Sequence, residues 1–395
     1  MGKVDILKIA KLAQAAKAKN KEVIDATIGM FYNDDKQLII PAVKDAYYNL
    51  DLLETFKYGA TDGGKLFEDN VIRWVLDEKE ESVKKKFLLT GLSTPGGSGA
   101  LSLIFNTYGS PRDKVLVPSL RWRYEYFLKA AKLNSWEHNL FKDNAFDMDD
   151  FTKQLNVLSK EQKRVIVVIN DPCHNPTGYS LSKEEWLNII SVLNKLTNNE
   201  IIIAYDIAYF DYDPKGFKAA RNTFEYFKNL KPHVQVLTAF SASKSFAIYG
   251  VRLGGLIGLH HTQDQYEFFK QNVLDDALGK WSTAPSVGVG IFNHLATQKD
   301  EYIAYLNTLT ATLKMRGDIF LEEAKKEGLE IYPYRGGFFV LVKSNNPEGD
   351  YEKLVDKNIY LVPMQNGLRV ALCGITTPEV KGLAKKIKNV VGVTK

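Results

Sequence analysis

Through the first two-thirds of the chain the apolar residues fall in short unbroken runs and not in strict alternation. The runs at 87–90, Lys114–Pro118, 164–169, 200–205 and 234–240 are rich in Val, Ile and Leu. Runs of that length without alternation predict strands covered on both faces, the habit of parallel sheets. Between them lie stretches with helical spacing: PAVKDAYYNL opening at Pro41, a segment with Trp74 and Val75 on its apolar face, SLIFNTY, and LSKEEWLNIISVLNKL, for which Ser180 is the expected N-cap. A further short strand enters the loop 25–35. Repeated strand, turn and helix predict a right-handed parallel-type sheet flanked by helices, with ligands at the carboxyl ends of its strands.

The pattern changes at about Ser286. Long helices run from there for some forty residues, and short strands follow at 329–333, 336–342, 359–363 and 368–372 before a final helix, TPEVKGLAKKIKNVV. This describes a smaller α+β domain. The expected division is a large domain over 46–290, with 1–45 as an N-terminal arm joining 291–395 in the small one; 395 residues suit such a pair better than one core.

Composition narrows the class. Apolar residues make up 45% and charged residues 25%, with no run long enough to span a membrane. The opening segment is basic but lacks the apolar core of a secretory signal, so an amphipathic arm is expected. Two cysteines, Cys173 and Cys373, and six histidines without metal spacing predict a reducing cytoplasmic setting and no metal. The net charge of +5 is spread over Lys-rich helices, which points to anionic small ligands and away from nucleic acid.

Candidate chemistry sits at the predicted strand ends. Ser241-Ala-Ser-Lys244 leaves the run 234–240, and Arg252 follows eight positions after Lys244 in a Gly-rich turn: an amine for covalent chemistry beside a fork for phosphate. Gly91 to Leu101, rich in glycine and including Gly96, Gly97 and Ser98, would start a helix and cradle an anion; it lacks a Walker lysine. Trp122 could stack on a flat ring or pack under its loop. The turn Asn170 to Gly178 holds Asn175 between two prolines, and Asp206 and Tyr209 close the run 200–205. A carboxylate at such a place is costly unless it meets a cation. Arg369, inside an apolar strand, needs an anion from either a structural or a substrate carboxylate. Tyr58, between flexible glycines, could touch a ligand or pack in a turn.

In this order the features resemble class I/II aminotransferases of the fold type I pyridoxal-phosphate family, most specifically in HNPTG (174–178), YDIAY (205–209) and SASKSFAIYGVRLGG (241–255). The resemblance covers almost the whole chain and implies a mixed, mostly parallel sheet of the seven-stranded type. It also implies pyridoxal 5'-phosphate held covalently by Lys244, which moves the proton; Asp206 on the pyridine nitrogen; Asn175 and Tyr209 on the phenolic oxygen; and Trp122 stacked on the ring. Gly97, Ser98, Ser241 and Arg252 would take the phosphate, Tyr58 would reach the other subunit of a homodimer, and Arg369 would take the substrate α-carboxylate, with Met30 and Asn175 beside it. Amino acid and 2-oxo acid are then the substrates. Carbon–sulfur β-lyases share these cofactor residues. A ligand-sensing regulator would carry an added DNA-binding module, and a pseudoenzyme would have lost Lys244, Asp206 or Arg252.

The departures bear on substrate. Gly96 stands where many relatives carry Ser or Thr, the loop 363–367 is tight, and Trp122 lies further past Pro118 than is usual. In dicarboxylate-specific relatives a partner-subunit arginine clamps the distal carboxylate; Leu278 stands at its place, with Lys280 two positions on. With Trp281, Met30 and Phe31 expected at the entrance, an aromatic or large apolar side chain is favoured. The alternative is an aspartate aminotransferase using Lys280 as the clamp.

Overall fold

In a computed structural model, residues 6–35 and 38–391 are described. Seven strands form the main sheet: β1 Leu88–Thr94, β2 Lys114–Pro118, β3 Asn134–His138, β4 Arg164–Asn170, β5 Glu200–Asp206, β6 Val234–Ser241 and β7 Gly254–His260. Their order is β1-β7-β6-β5-β4-β2-β3, and β7 alone runs antiparallel to its neighbours. Strands β4 to β7 are buried on nearly every residue, which is why their sequences run apolar without alternation. This arrangement brings Thr94, Pro118, Asn170, Asp206, Ser241 and the start of β7 to one edge of the sheet.

A second sheet has three antiparallel strands, Phe339–Lys343, Gly367–Ala371 and Val362–Met364, with the middle one in the centre and Arg369 opposite Leu341 and Val362. The helix Lys299–Glu327 joins the two regions and stops at Gly328, whose φ of 66° is left-handed. The mixed, mostly parallel α/β class is the one expected from sequence.

Several boundaries differ. The run 87–90 continues as strand to Thr94, because β7 pairs with it residue by residue as far as Gly254, so the anion loop shrinks to Pro95–Gly96. No strand forms at 329–333, where Ile331 makes one isolated bridge to Val342. The residues after Pro333 turn away instead, with the amides of Arg335 and Gly336 donating to the Gly178 carbonyl at 2.8 and 3.0 Å. Gly336 and Gly337 stay outside the following strand, Gly337 at φ 91°. The run 359–363 splits: Ile359–Tyr360 pairs in parallel with Ile24–Asp25, while Val362–Met364 joins the other sheet. The final helix breaks into Thr377–Val380 and Leu383–Lys388 at Gly382, φ 76°. Ser182, not Ser180, caps its helix in a reciprocal pair with Glu185, since the Ser180 hydroxyl accepts from the Cys173 amide at 2.9 Å.

Candidate active site

At the shared sheet edge lies a cavity of about 120 Å³, lined by Gly97, Ser98 and Arg252 on one side, Trp122 and Tyr209 on another, and Asp206, Asn175 and Lys244 at its base. The single turn Ala242–Ser245 at the end of β6 carries Lys244. That turn is pinned from outside, where Tyr212 Oη donates to the Lys244 carbonyl at 3.2 Å and Tyr302 Oη to the Ser245 carbonyl at 2.6 Å. Nζ itself has neither a hydrogen bond nor an ion pair among the described residues; the rings of Tyr249 and Tyr209 lie 5.1 and 5.8 Å away. Burial, which disfavours the charged amine, brings its pKa down to about 8.

Asp206 ends β5, buried. Its Oδ2 accepts from Tyr124 Oη at 2.8 Å and its Oδ1 from the Ala208 amide at 3.1 Å. Burial pushes this carboxyl up, and the Tyr124 hydroxyl, the Ala208 amide and the Lys244 charge oppose that rise. Asn175 Nδ2 donates to Tyr209 Oη at 3.2 Å, and Asn175 Oδ1 accepts from Arg369 Nη1 at 3.2 Å. Arg369 Nη2 donates to the Thr27 carbonyl at 2.8 Å, and its guanidinium lies 4.3 Å from the centre of the Phe339 ring. Burial lowers Arg369 to about 10, and its Nε has no partner.

Arg252, at φ 63°, donates from Nη1 to Ser243 Oγ and the Tyr249 carbonyl at 3.0 and 2.8 Å, and from Nη2 to Ser98 Oγ at 3.2 Å. Gly96, at φ 73°, begins the helix Gly96–Tyr108, and a Cβ there would run into the Arg252 guanidinium. The left-handed φ strains any residue with a Cβ at this place, and Arg252 would also have to move aside for a Ser or Thr. Gly97 and Ser241 approach closely, a Cβ on Gly97 falling 3.1 Å from Ser241 Cβ.

Among the described residues, none of Lys244, Arg252 and Arg369 has a carboxylate within ion-pair distance. Three cations face one buried acid across the site and its wall. Arg369 is buried without a carboxylate, which is expensive, and Arg252, though exposed, lies beside a helix N-terminus that adds positive potential, so the site calls for anions. A phosphate at Arg252, Ser98 and the Gly97 amide, a ring beside Trp122 and Asp206, and an aldehyde at Lys244 match these donors. The residues present therefore fit pyridoxal phosphate.

Met30 and Phe31 do not line this cavity, nor do Tyr58, Leu278 and Lys280, which were expected at a neighbouring subunit's site. Met30 lines a separate cleft of about 220 Å³ with Tyr32, Lys17 and Glu379. Phe31 is a core residue, stacked 6.1 Å from Tyr212. Tyr58 is 97% exposed, and Leu278 is 55% exposed. Lys280 is ion-paired with Asp276 one turn back at 3.0 Å. Sequence reasoning missed Tyr124, two places after the chosen tryptophan, and Asn170, whose Oδ1 accepts from the Asn175 amide at 2.8 Å. It also left Ser243 and the Thr27 carbonyl without roles; a carbonyl leaves no mark in sequence.

A pH effect follows from the Lys244 shift. In cofactor-free protein, acylation of Lys244 should rise through a midpoint near pH 8, against about 10.4 for free lysines. For stability the sign is also fixed. The unfolded amine binds a proton that the folded one has released between pH 8 and the ordinary lysine range, so the amine's contribution rises with pH in that window and is lost as pH falls through 8. Peptide mass spectrometry of acylation against pH checks the first statement.

The comparisons agree with the chemistry. The family described as aminotransferase class I and II matches residues 21–387. A solved aminotransferase from Anaerococcus prevotii superposes with a TM-score of 0.93 at 28% identity, covering 98% of this chain and 96% of that one. Mitochondrial aspartate aminotransferase of Saccharomyces cerevisiae is 21% identical, over 95% of this chain and 90% of its own length. Tyrosine aminotransferase of Rhizobium meliloti is 23% identical over 92% of each. With its family match spanning nearly all of the fold and its cation-rich sheet edge suited to the cofactor, this chain belongs to the class I and II aminotransferases and is a pyridoxal-phosphate-dependent enzyme of fold type I.

Proposed function

We propose that the enzyme moves the amino group of an aromatic or other large apolar L-amino acid to a 2-oxo acid such as 2-oxoglutarate, with Arg369 holding the α-carboxylate. The observation that carries this reading is the pairing of Lys280 with Asp276 on its own helix, which leaves the 274–285 stretch, already without arginine, no free cation for a second carboxylate. An unpaired side-chain carboxylate buried there would cost several kcal/mol.

The bound cofactor supplies an electron sink for the bond at the substrate's α-carbon. Lys244 Nζ, neutral above about pH 8, would take the α-proton and deliver it to the cofactor's aldehyde carbon, and would carry a proton the opposite way in the other half of the cycle. Asp206 Oδ2 and Oδ1, anchored by Tyr124 and Ala208, keep negative charge at the ring nitrogen. Asn175 and Tyr209 would bind the cofactor's phenolic oxygen, Trp122 would lie against its ring, and Gly97, Ser98, Ser241 and Arg252 would hold its phosphate. Arg369 orients the substrate, its position set by Thr27 and Asn175.

The aspartate reading has an observation of its own. Arg123 has no carboxylate partner among the described residues, and its charge adds to the lowering of Arg369. It is a same-chain candidate for a distal carboxylate. Comparing kcat/KM for phenylalanine, tyrosine, methionine and aspartate, with 2-oxoglutarate as acceptor, decides between the two. Phenylalanine or tyrosine should lead by about tenfold or more, within reach of a pocket that discriminates apolar groups. Preference for aspartate, lost in Arg123→Ala or Lys280→Ala, would replace this reading. Pyruvate and sulfide released from cysteine would favour the β-lyase.

We also propose a homodimer in which Tyr58 serves the neighbouring site. Its exposure together with that of Tyr48, Leu52, Leu53 and Phe56 along the same stretch supports this, since apolar side chains grouped in water mark an interface. Sedimentation should give a dimer, and active monomers would contradict it. The division into 46–290 against 1–45 with 291–395, and a cytoplasmic setting supported by two free buried cysteines, belong to the same proposal.

A further inference from the structure

We infer that Tyr124 is a positioning residue for the reaction: its hydroxyl fixes the Asp206 carboxylate as the anion and so keeps the proton on the ring nitrogen of the cofactor. This rests on the reading of Asp206 as that nitrogen's partner. Among the described residues Tyr124 Oη is the only side-chain donor to Asp206, at 2.8 Å, and the tyrosine is fully buried. The other carboxylate oxygen takes a backbone amide, Ala208 N at 3.1 Å, which no substitution at residue 208 except proline removes. The Asp206 carbonyl is held separately by Asn170 Nδ2 at 2.8 Å, so Tyr124 acts on the carboxylate and not on the strand.

The residue is also placed to do this alone. The Tyr124 amide donates to the Trp122 carbonyl at 2.8 Å and its ring meets the Trp122 ring edge-on at 5.6 Å, so one short turn seats both the indole that lines the cavity and the hydroxyl that meets the acid. Burial and the neighbouring Asp206 hold the phenol well above its ordinary pKa, so it stays a neutral donor across the working range. A hydroxyl that donates to a carboxylate stabilises its charged form. Without that donor, a buried Asp206 binds a proton more tightly. The proton shared with the ring nitrogen then moves toward the carboxylate, and the ring becomes a poorer electron sink.

The test uses the holoenzyme loaded with cofactor labelled with 15N at the ring nitrogen. In Tyr124→Phe the 15N resonance should move from the protonated toward the unprotonated position, and kcat should fall by about ten- to a hundredfold, the worth of one hydrogen bond to a charged group. 3-Fluorotyrosine placed at 124, which keeps the ring and strengthens the donor, should leave the nitrogen protonated, and it keeps the question open to measurement if the phenylalanine variant does not fold: a fluorotyrosine enzyme whose nitrogen loses its proton overturns the inference. A wild-type resonance in Tyr124→Phe, with only a lowered Tm, also overturns it. Asp206→Asn separates the two levels. If that variant leaves the resonance unmoved, the reading of Asp206 fails; if it moves the resonance while Tyr124→Phe does not, only the role of Tyr124 fails.

Discussion

Lys244→Ala is expected to lower transamination by at least about a thousandfold and to leave the cofactor bound without a covalent link. The loss combines two roles of one amine. General acid–base catalysis alone is worth ~10²–10⁴-fold, and no other group at the site can take over at the α-carbon: Asp206 is committed to Tyr124 and Ala208, while Tyr209, pushed far up by burial, holds its proton. Arg252 and Ser98, the donors proposed for the phosphate, are untouched, so the variant should still bind pyridoxal phosphate. The checks are turnover with the best donor and the visible spectrum of the loaded protein. Addition of a small primary amine should restore part of the rate, because the cavity left by the side chain would admit it.

Asp206→Ala is expected to lose about 10²–10³-fold in kcat, the scale of a preorganised electrostatic contact, with cofactor still bound. On the proposed reading the carboxylate's work is electronic, and the residues proposed for the phosphate, Ser98 and Arg252, are untouched by the substitution. The substitution also strands two buried donors, the Tyr124 hydroxyl and the Ala208 amide. That costs about 1–3 kcal/mol each unless water enters, so a lower Tm accompanies the kinetic loss. A soluble, loaded Asp206→Ala with near-normal turnover would exclude the electronic role, whatever its stability.

The parts of this site that sequence displayed share a physical cause. Asp206 ends a run too apolar to be anything but a buried strand, and Lys244 and Asn175 lie within five residues after two others, where a polar side chain must face ligand or partner. Arg369 was legible as a charge inside an apolar strand, and among the described residues no acid pairs with it. Tyr124 was not legible. In Leu120-Arg-Trp-Arg-Tyr-Glu-Tyr-Phe127 four aromatics and two arginines compete, and only the start of the helix at Glu125 decides which of them turns inward. Boundaries failed where pairing between distant segments overrides local composition: β1 runs through Gly91 because β7 lies against it, and 359–363 divides because two different strands claim its halves. The cleft that Met30 lines and the pairing of Lys280 with Asp276 one helical turn away were not legible, because side-chain direction is set by geometry that spacing alone leaves open.

The assignment of Lys244 as the residue that holds the cofactor is tested most directly by reducing the loaded protein with borohydride and mapping the fixed adduct by peptide mass spectrometry. The account predicts a single labelled peptide carrying the adduct on Lys244; an adduct on any other lysine, or none at all, would contradict it.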